Sequence, residues 1–224
     1  MTSKELMLLT YYFYLLAMIL PISIGLFTWK NQTKSIRYFI FGLFLIALIL
    51  LFSSLITKFG IKNSLFLNYL SSVVDYIFLC LCFGLPFKSK LTQKVIYTSL
   101  IFVCIVTIVD AFYISGYKNS TAISSNIKSI FVVLLVTYYI ICLFRTSKDL
   151  MQNPLFLIAI IALFTTSIGM AGDLVLPYLA NNRLINEQIT LYCFLFSIYG
   201  IGSLLKTIPI WRASQDSKFA RLQV

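Results

Sequence analysis

Seven long apolar runs, separated by short polar stretches, account for almost the whole chain. A helix needs about 20 apolar residues to cross the hydrocarbon core of a bilayer, so each run predicts a transmembrane helix. We therefore predict an all-α, polytopic integral membrane protein, with a single seven-helix transmembrane domain over residues 1–211 and a short basic tail over residues 212–224. The runs cover approximately residues 7–29, 38–57, 65–87, 95–116, 128–145, 155–178 and 188–210.

The composition also favours lipid as the solvent. Hydrophobic residues make up 60% of the chain and charged residues 11%, whereas soluble domains contain about 45–50% and about 25% respectively. Such a chain has too few charges to cover a water-exposed surface. We expect the lipid bilayer to be its main surroundings.

The net charge of +11 does not indicate a nucleic-acid partner. The 18 Lys and Arg residues lie in short clusters between the apolar runs rather than in one basic patch, as topology signals do. Twelve fall on one side of the predicted membrane and six on the other, with Lys206 in the larger group and Lys128 in the smaller. The positive-inside rule then predicts an outside N-terminus and a cytoplasmic C-terminus.

Histidine is absent, and all five cysteines lie inside apolar runs. These two facts argue against histidine-based triads, histidine metal ligands and a disulfide framework. We expect no metal site and no cofactor. An intramembrane enzyme is also disfavoured: paired Asp residues can do acid–base work, but the aspartyl intramembrane proteases carry "YD" and "GxGD", and this chain has only "VDY" and "AGD".

The third run carries a polar stripe within an apolar helix. Asn68, Ser71, Ser72 and Asp75 are spaced at i, i+3, i+4 and i+7, which puts all four on one helical face. Lipid cannot solvate these groups, so we expect the face to look into the bundle. An ionisable residue inside a membrane is by default a candidate for function.

Other runs carry polar positions that we expect to meet this stripe. From them we predict a polar, outward-opening cavity lined by helices three, four, six and seven, which binds a small polar or cationic ligand. The remaining candidate ligand-binding residues are Asp110, Thr107 and Tyr113 in run four, Asp173 in run six and Tyr199 in run seven.

Seven spans, an Asp in the third and a Lys in the seventh resemble the microbial rhodopsins, in which a mid-span lysine binds retinal and carboxylates act as counter-ions. The stretch "GIGSLLKTIPIW" departs from that family at the decisive place. Gly202, not an acid, stands four residues before Lys206, and Arg212 follows six residues after it. We therefore interpret Lys206 as a base that reaches the cytoplasmic interface, and we expect no retinal.

The size, the span count and a third span of the type "LNYLSSVVDYIFL" resemble small, uncharacterised seven-span membrane proteins of Bacteroidota-like bacteria. The resemblance covers the whole chain and implies a multi-pass protein of the bacterial inner membrane. It implies no activity.

Two functions remain open. One is a receptor-like sensor or an accessory subunit of a membrane assembly, which requires a protein partner or a homo-oligomer because the short loops leave no domain to signal with. The alternative is a small transporter or channel for a proton, cation or amine that uses Asp75 and Asp110. The lack of an internal repeat weighs against the transporter folds built from inverted repeats.

Overall fold

The computed structural model describes residues 3–58, 65–114, 122–146 and 149–215. Within these ranges the chain is helical, without strands, and seven of its helical segments are long and apolar enough to cross a membrane. The predicted all-α, seven-span architecture is confirmed to that extent. The helices are α1 (Ser3–Phe27), α2 (Lys34–Lys58), α3 (Leu65–Gly84), α4 (Lys90–Val109), α5 (Ala122–Thr146), α6 (Pro154–Asn181), α7 (Ile185–Leu205) and α8 (Thr207–Gln215).

The helices pack as a ring with one peripheral member. Going around it, α1 contacts α2, α2 contacts α3, α3 contacts α5, α5 contacts α6, α6 contacts α7, and α7 closes the ring on α1. Helix α4 packs against α3 and α5 from outside the ring. Its exposed apolar side chains, such as Ile101 and Ile105, suit a lipid-facing position.

Local sequence sets the start of two helices. Ser89 caps α4, because its Oγ accepts a hydrogen bond from the Thr92 N–H at 3.4 Å. Asn153 caps α6 by accepting from the Leu155 and Phe156 N–H groups at 3.0 and 3.4 Å. Pro154 occupies the first turn of α6, where its missing N–H costs no helical bond.

Helix α5 begins six residues earlier than the apolar run predicts, at Ala122 instead of residue 128. The additional turns, "AISSNI", combine three apolar residues with three polar ones, so they continue the apolar run only weakly. They are helical because their polar groups bond to neighbouring helices, as the site geometry below shows. The loop before them, residues 115–121, lies outside the described residues.

Helix α8 fastens one end of the bundle. Gln32 Nε2, just before α2, donates to the Ile210 carbonyl at 2.9 Å, and Arg212 Nη1 donates to the Met151 carbonyl at 3.1 Å. We call this end the C-terminal face and the opposite end, where α1 begins, the N-terminal face. Helix α8 continues across residue 212, the predicted start of the tail, and residues 216–224 of that tail lie outside the described residues.

Candidate functional site: a charged cavity inside the bundle

The ring of helices encloses a cavity of about 330 Å³. Helices α1, α2, α3, α5, α6 and α7 contribute its walls. The side chains that line it include four ionisable residues of alternating sign: Asp75 on α3, Lys128 on α5, Asp173 on α6 and Lys206 at the end of α7.

The polar stripe of α3 forms one wall, as its spacing predicts. Asn68, Ser71, Ser72 and Asp75 all line the cavity. Asp75 is the charged member, and its Oδ2 lies 3.1 Å from Lys128 Nζ, with side-chain exposures of 38% for the acid and 15% for the base. The pair therefore faces the cavity rather than lipid, because lipid cannot solvate either charge.

Asp173 lies in the same cavity and bonds to the same helix. Ser125 Oγ donates to Asp173 Oδ2 at 2.5 Å, one helical turn before Lys128 on α5. The Lys128 ammonium is also close enough to Asp173 for their charges to interact. Two carboxylates from different helices thus converge on one ammonium.

Asp110 was predicted to join this site, and the structure gives it a different environment. The carboxylate is fully buried, and its Oδ2 accepts a hydrogen bond from the Ser124 N–H at 3.0 Å. It therefore caps the beginning of α5, where unsatisfied N–H groups and the helix dipole favour a negative charge. Asp110 does not line the cavity.

The other two candidates on α4 also lie away from the cavity. The Thr107 hydroxyl donates to the Val103 carbonyl of its own helix at 2.8 Å, and Tyr113 is 83% exposed. A π-helical turn over Asp110–Ile114 ends α4, and α4 as a whole packs from outside the ring. The prediction that helix four lines the cavity is wrong: α5 takes that place, together with α1 and α2.

Lys206 does not behave as a base that reaches the interface. Its side chain lines the cavity, and its Nζ lies 5.8 Å from the centre of the Phe39 ring, a distance at which a cation is attracted to an aromatic face. We had assigned Lys206 to the cytoplasmic interface because Arg212 follows it six residues later. Lys206 keeps helical backbone angles at the junction of α7 and α8, and its N–H bonds to the Gly202 carbonyl. It lies two helical turns after Tyr199 on the same face of the helix, and this face looks into the cavity.

Tyr14 and Tyr199 add two phenol rings to the wall. Their ring centres are 5.9 Å apart and the planes are tilted by 47°. The Tyr199 hydroxyl lies directly against the Cα of Gly169, where a Cβ would collide with it. Gly169 therefore sets how deeply Tyr199 can lie between α6 and α7.

Four polar lining residues were missed from the sequence: Tyr14, Ser125, Lys128 and Ser129. Lys128 was counted as a loop base. A signal did exist in "SSNIKS", because Ser125, Lys128 and Ser129 repeat at i, i+3 and i+4 like the α3 stripe. Among the described residues, no three His, Cys, Asp or Glu side chains come together as metal ligands would.

Comparison with known proteins adds no relative: no family model, no curated protein and no solved structure matches the chain. The site geometry is consequently the only basis on which a function can be argued.

Proposed function

We propose that this chain is a receptor-like membrane module, a sensor or an accessory subunit of a membrane assembly, whose cavity binds a small polar ligand. The observation that carries the proposal is the cavity of about 330 Å³ with Asp75, Lys128, Asp173 and Lys206 in its lining. Its volume is at the lower end of the range for small-molecule sites, about 300–1,000 Å³.

The electrostatics of the site support ligand binding over a purely structural role. Each charge placed near the bilayer centre costs about 2.5–3.5 kcal/mol on insertion scales. Helix packing alone is achieved more cheaply with small or neutral polar residues. Four ionisable side chains around one void are therefore better explained by a polar occupant than by packing.

The first experiment compares what co-purifies with three forms of the protein in mild detergent: wild type, Asp75→Asn and Asp149→Asn. Asp149 is an exposed carboxylate in the connection between α5 and α6, so it controls for the loss of one negative charge. Native mass spectrometry detects small molecules, and digestion followed by mass spectrometry detects protein partners.

A small molecule retained by wild type and Asp149→Asn and lost from Asp75→Asn supports the binding cavity. A protein partner recovered with all three forms supports the accessory or sensory role. Wild-type protein that carries neither a small molecule nor a partner contradicts the proposal.

A transporter or channel for a proton, cation or amine is the second candidate. The observation that favours it is the depth of the cavity, which extends from Asn68 in the first turns of α3 to Lys206 at the far end of α7. The test is flux into liposomes that contain the purified protein alone. Transport predicts flux that Asp75→Asn abolishes and Asp149→Asn preserves, whereas a receptor gives none.

A further inference from the structure

The charges of the cavity are separated by depth. Ser125 and Asp173 mark one level near the N-terminal face, and Lys128 with Asp75 lies about one helical turn deeper. These levels together hold two carboxylates and one ammonium. Lys206, at the other end of the cavity, supplies the second ammonium, so the cavity holds two carboxylates and two ammonium groups in all.

The contacts between α6 and α7 give the distance between the two ends. A Cβ on Gly172 would meet Leu195, a Cβ on Gly169 would meet Tyr199, and a Cβ on Gly202 would meet Thr165. In this antiparallel register, Asp173 lies level with residue 194 or 195 of α7. Lys206 is eleven or twelve residues further along, so the two backbone positions are about 17 Å apart at 1.5 Å per residue. The Lys206 side chain reaches back along the cavity far enough for its charge to interact with that of Asp75. The charged groups are therefore closer together than the backbones that carry them.

Lys206 has no ion-pair partner within the part of the chain that the structure describes. The ion pair seen there joins Lys128 to Asp75, and the contact of the Lys206 ammonium is the face of Phe39. A ring face attracts a cation but does not neutralise it. An ammonium directed into a cavity between apolar walls is better stabilised by an anion.

The wall between the two charged ends is mixed. Apolar side chains of α1, α2 and α3, those of Met18, Leu43, Ile46 and Leu79, line one part of it. Hydroxyl groups of Tyr14, Thr165, Thr166 and Tyr199 line the other part. The apolar part suits a short hydrocarbon chain, whereas the ends suit groups of opposite charge.

From this arrangement we infer that the ligand is a dipolar, elongated small molecule of the amino-carboxylate class. Its cationic group binds the Asp75 and Asp173 carboxylates, its anionic group binds Lys206, and the short chain between them lies against the apolar part of the wall. The inference rests on the proposed binding cavity and names the chemical class of its occupant.

The test measures binding of three probes of matched length to the purified, full-length protein: 6-aminohexanoate, which carries both charges, hexanoate, which carries the negative charge alone, and hexylamine, which carries the positive charge alone. Isothermal titration in a neutral detergent gives the dissociation constants. We expect 6-aminohexanoate to bind at least ten-fold more tightly than either single-charge probe. This comparison needs no variant, so it does not depend on whether a substituted protein folds.

Two variants then assign the ends. Lys206→Met should weaken 6-aminohexanoate at least ten-fold and leave hexylamine unchanged, while Asp173→Asn should weaken 6-aminohexanoate and leave hexanoate unchanged. Lys206→Arg keeps the charge and should retain most of the binding. Lys94→Met removes an exposed ammonium on α4 and should change nothing.

Equal binding of 6-aminohexanoate and hexylamine, with no effect of Lys206→Met, would overturn the inference and leave a cavity that binds cations. Absence of binding by all three probes would overturn the amino-carboxylate class as well. The co-purification result for Asp75→Asn stands apart from both outcomes, so failure of the ligand class and failure of the binding cavity are distinguishable.

Discussion

Lys128 Nζ lies 3.1 Å from Asp75 Oδ2 and joins α5 to its neighbour α3 at the wall of the cavity. The same two turns of α5 bond to the other two acids of the predicted spans, through the Ser124 N–H to Asp110 and through the Ser125 hydroxyl to Asp173. Three carboxylates on three helices thus find their partners at the beginning of one helix. An unpaired Asp in hydrocarbon opposes insertion by about 2.5–3.5 kcal/mol, and these bonds offset that cost.

The first prediction concerns the Asp75–Lys128 pair. Asp75→Asn and Lys128→Met should each lower the apparent melting temperature in detergent, because each leaves the other charge without its partner. Since Asp75 is partly exposed to the cavity, we expect about 1–3 kcal/mol per substitution, less than for a fully buried pair. For a chain of this size that corresponds to about 2–12 °C.

The exchanged pair, Asp75→Lys with Lys128→Asp, is the control for this prediction. It restores opposite charges at the same two positions and should recover part of the lost melting temperature. An exchanged protein less stable than either single variant would show that the surroundings of Asp75, rather than its charge partner, determine its effect.

The second prediction separates capping by Asp110 from a role in transport. Asp110→Ala should destabilise the start of α5 by about 0.5–2 kcal/mol, whereas Asp110→Asn, which keeps an oxygen that accepts the Ser124 N–H, should cost less. Hydrogen exchange followed by mass spectrometry should show faster exchange of the amides near residues 123–128 in the Ala variant. Unchanged exchange together with lost cation flux would instead support the transporter alternative.

The periodicity of the α3 stripe was enough to predict one wall of the cavity, because four polar residues at helical spacing lie on one face of the helix. The opposite wall was not predictable in the same way. Lys128 stands at the first position of the predicted run over residues 128–145, where a base is readily counted as a loop charge. Lys206 was assigned to the interface because Arg212 and Pro209 follow it closely, and Pro209 removes the N–H that would bond to the Leu205 carbonyl. Asp110 was placed in the cavity because the spacing of polar residues does not show that α4 packs against α3 and α5 from outside the ring.

The third prediction concerns membrane orientation. Lys128 and Lys206 line the cavity and therefore do not act as loop charges. One was counted on each side of the predicted membrane, so removing both leaves the excess of Lys and Arg on the same side. We expect a C-terminal green fluorescent protein fusion, expressed in bacteria, to fluoresce, because this reporter folds in the cytoplasm. A C-terminal alkaline phosphatase fusion should be inactive. The opposite pair of results would reverse the predicted orientation.

The fourth prediction tests the contact between Gly169 and Tyr199. Gly169→Ala should destabilise the protein by about 1–3 kcal/mol, because the new Cβ would collide with the Tyr199 hydroxyl and force the ring to move. Adding Tyr199→Phe should recover most of the loss. The ring carbon that bears the hydroxyl lies 3.4 Å from the position of that Cβ, close to ordinary van der Waals contact.

Gly84→Ala is the matched control for this experiment. A Cβ on Gly84 would meet the Ile96 side chain at 3.5 Å, so the substitution should leave the melting temperature nearly unchanged. Thermal unfolding of the four proteins in one detergent gives the comparison. If Gly169→Ala is destabilising and Tyr199→Phe does not relieve it, the cost comes from the approach of α6 to α7 rather than from the hydroxyl, and Gly169 does not set the position of Tyr199 in the cavity wall.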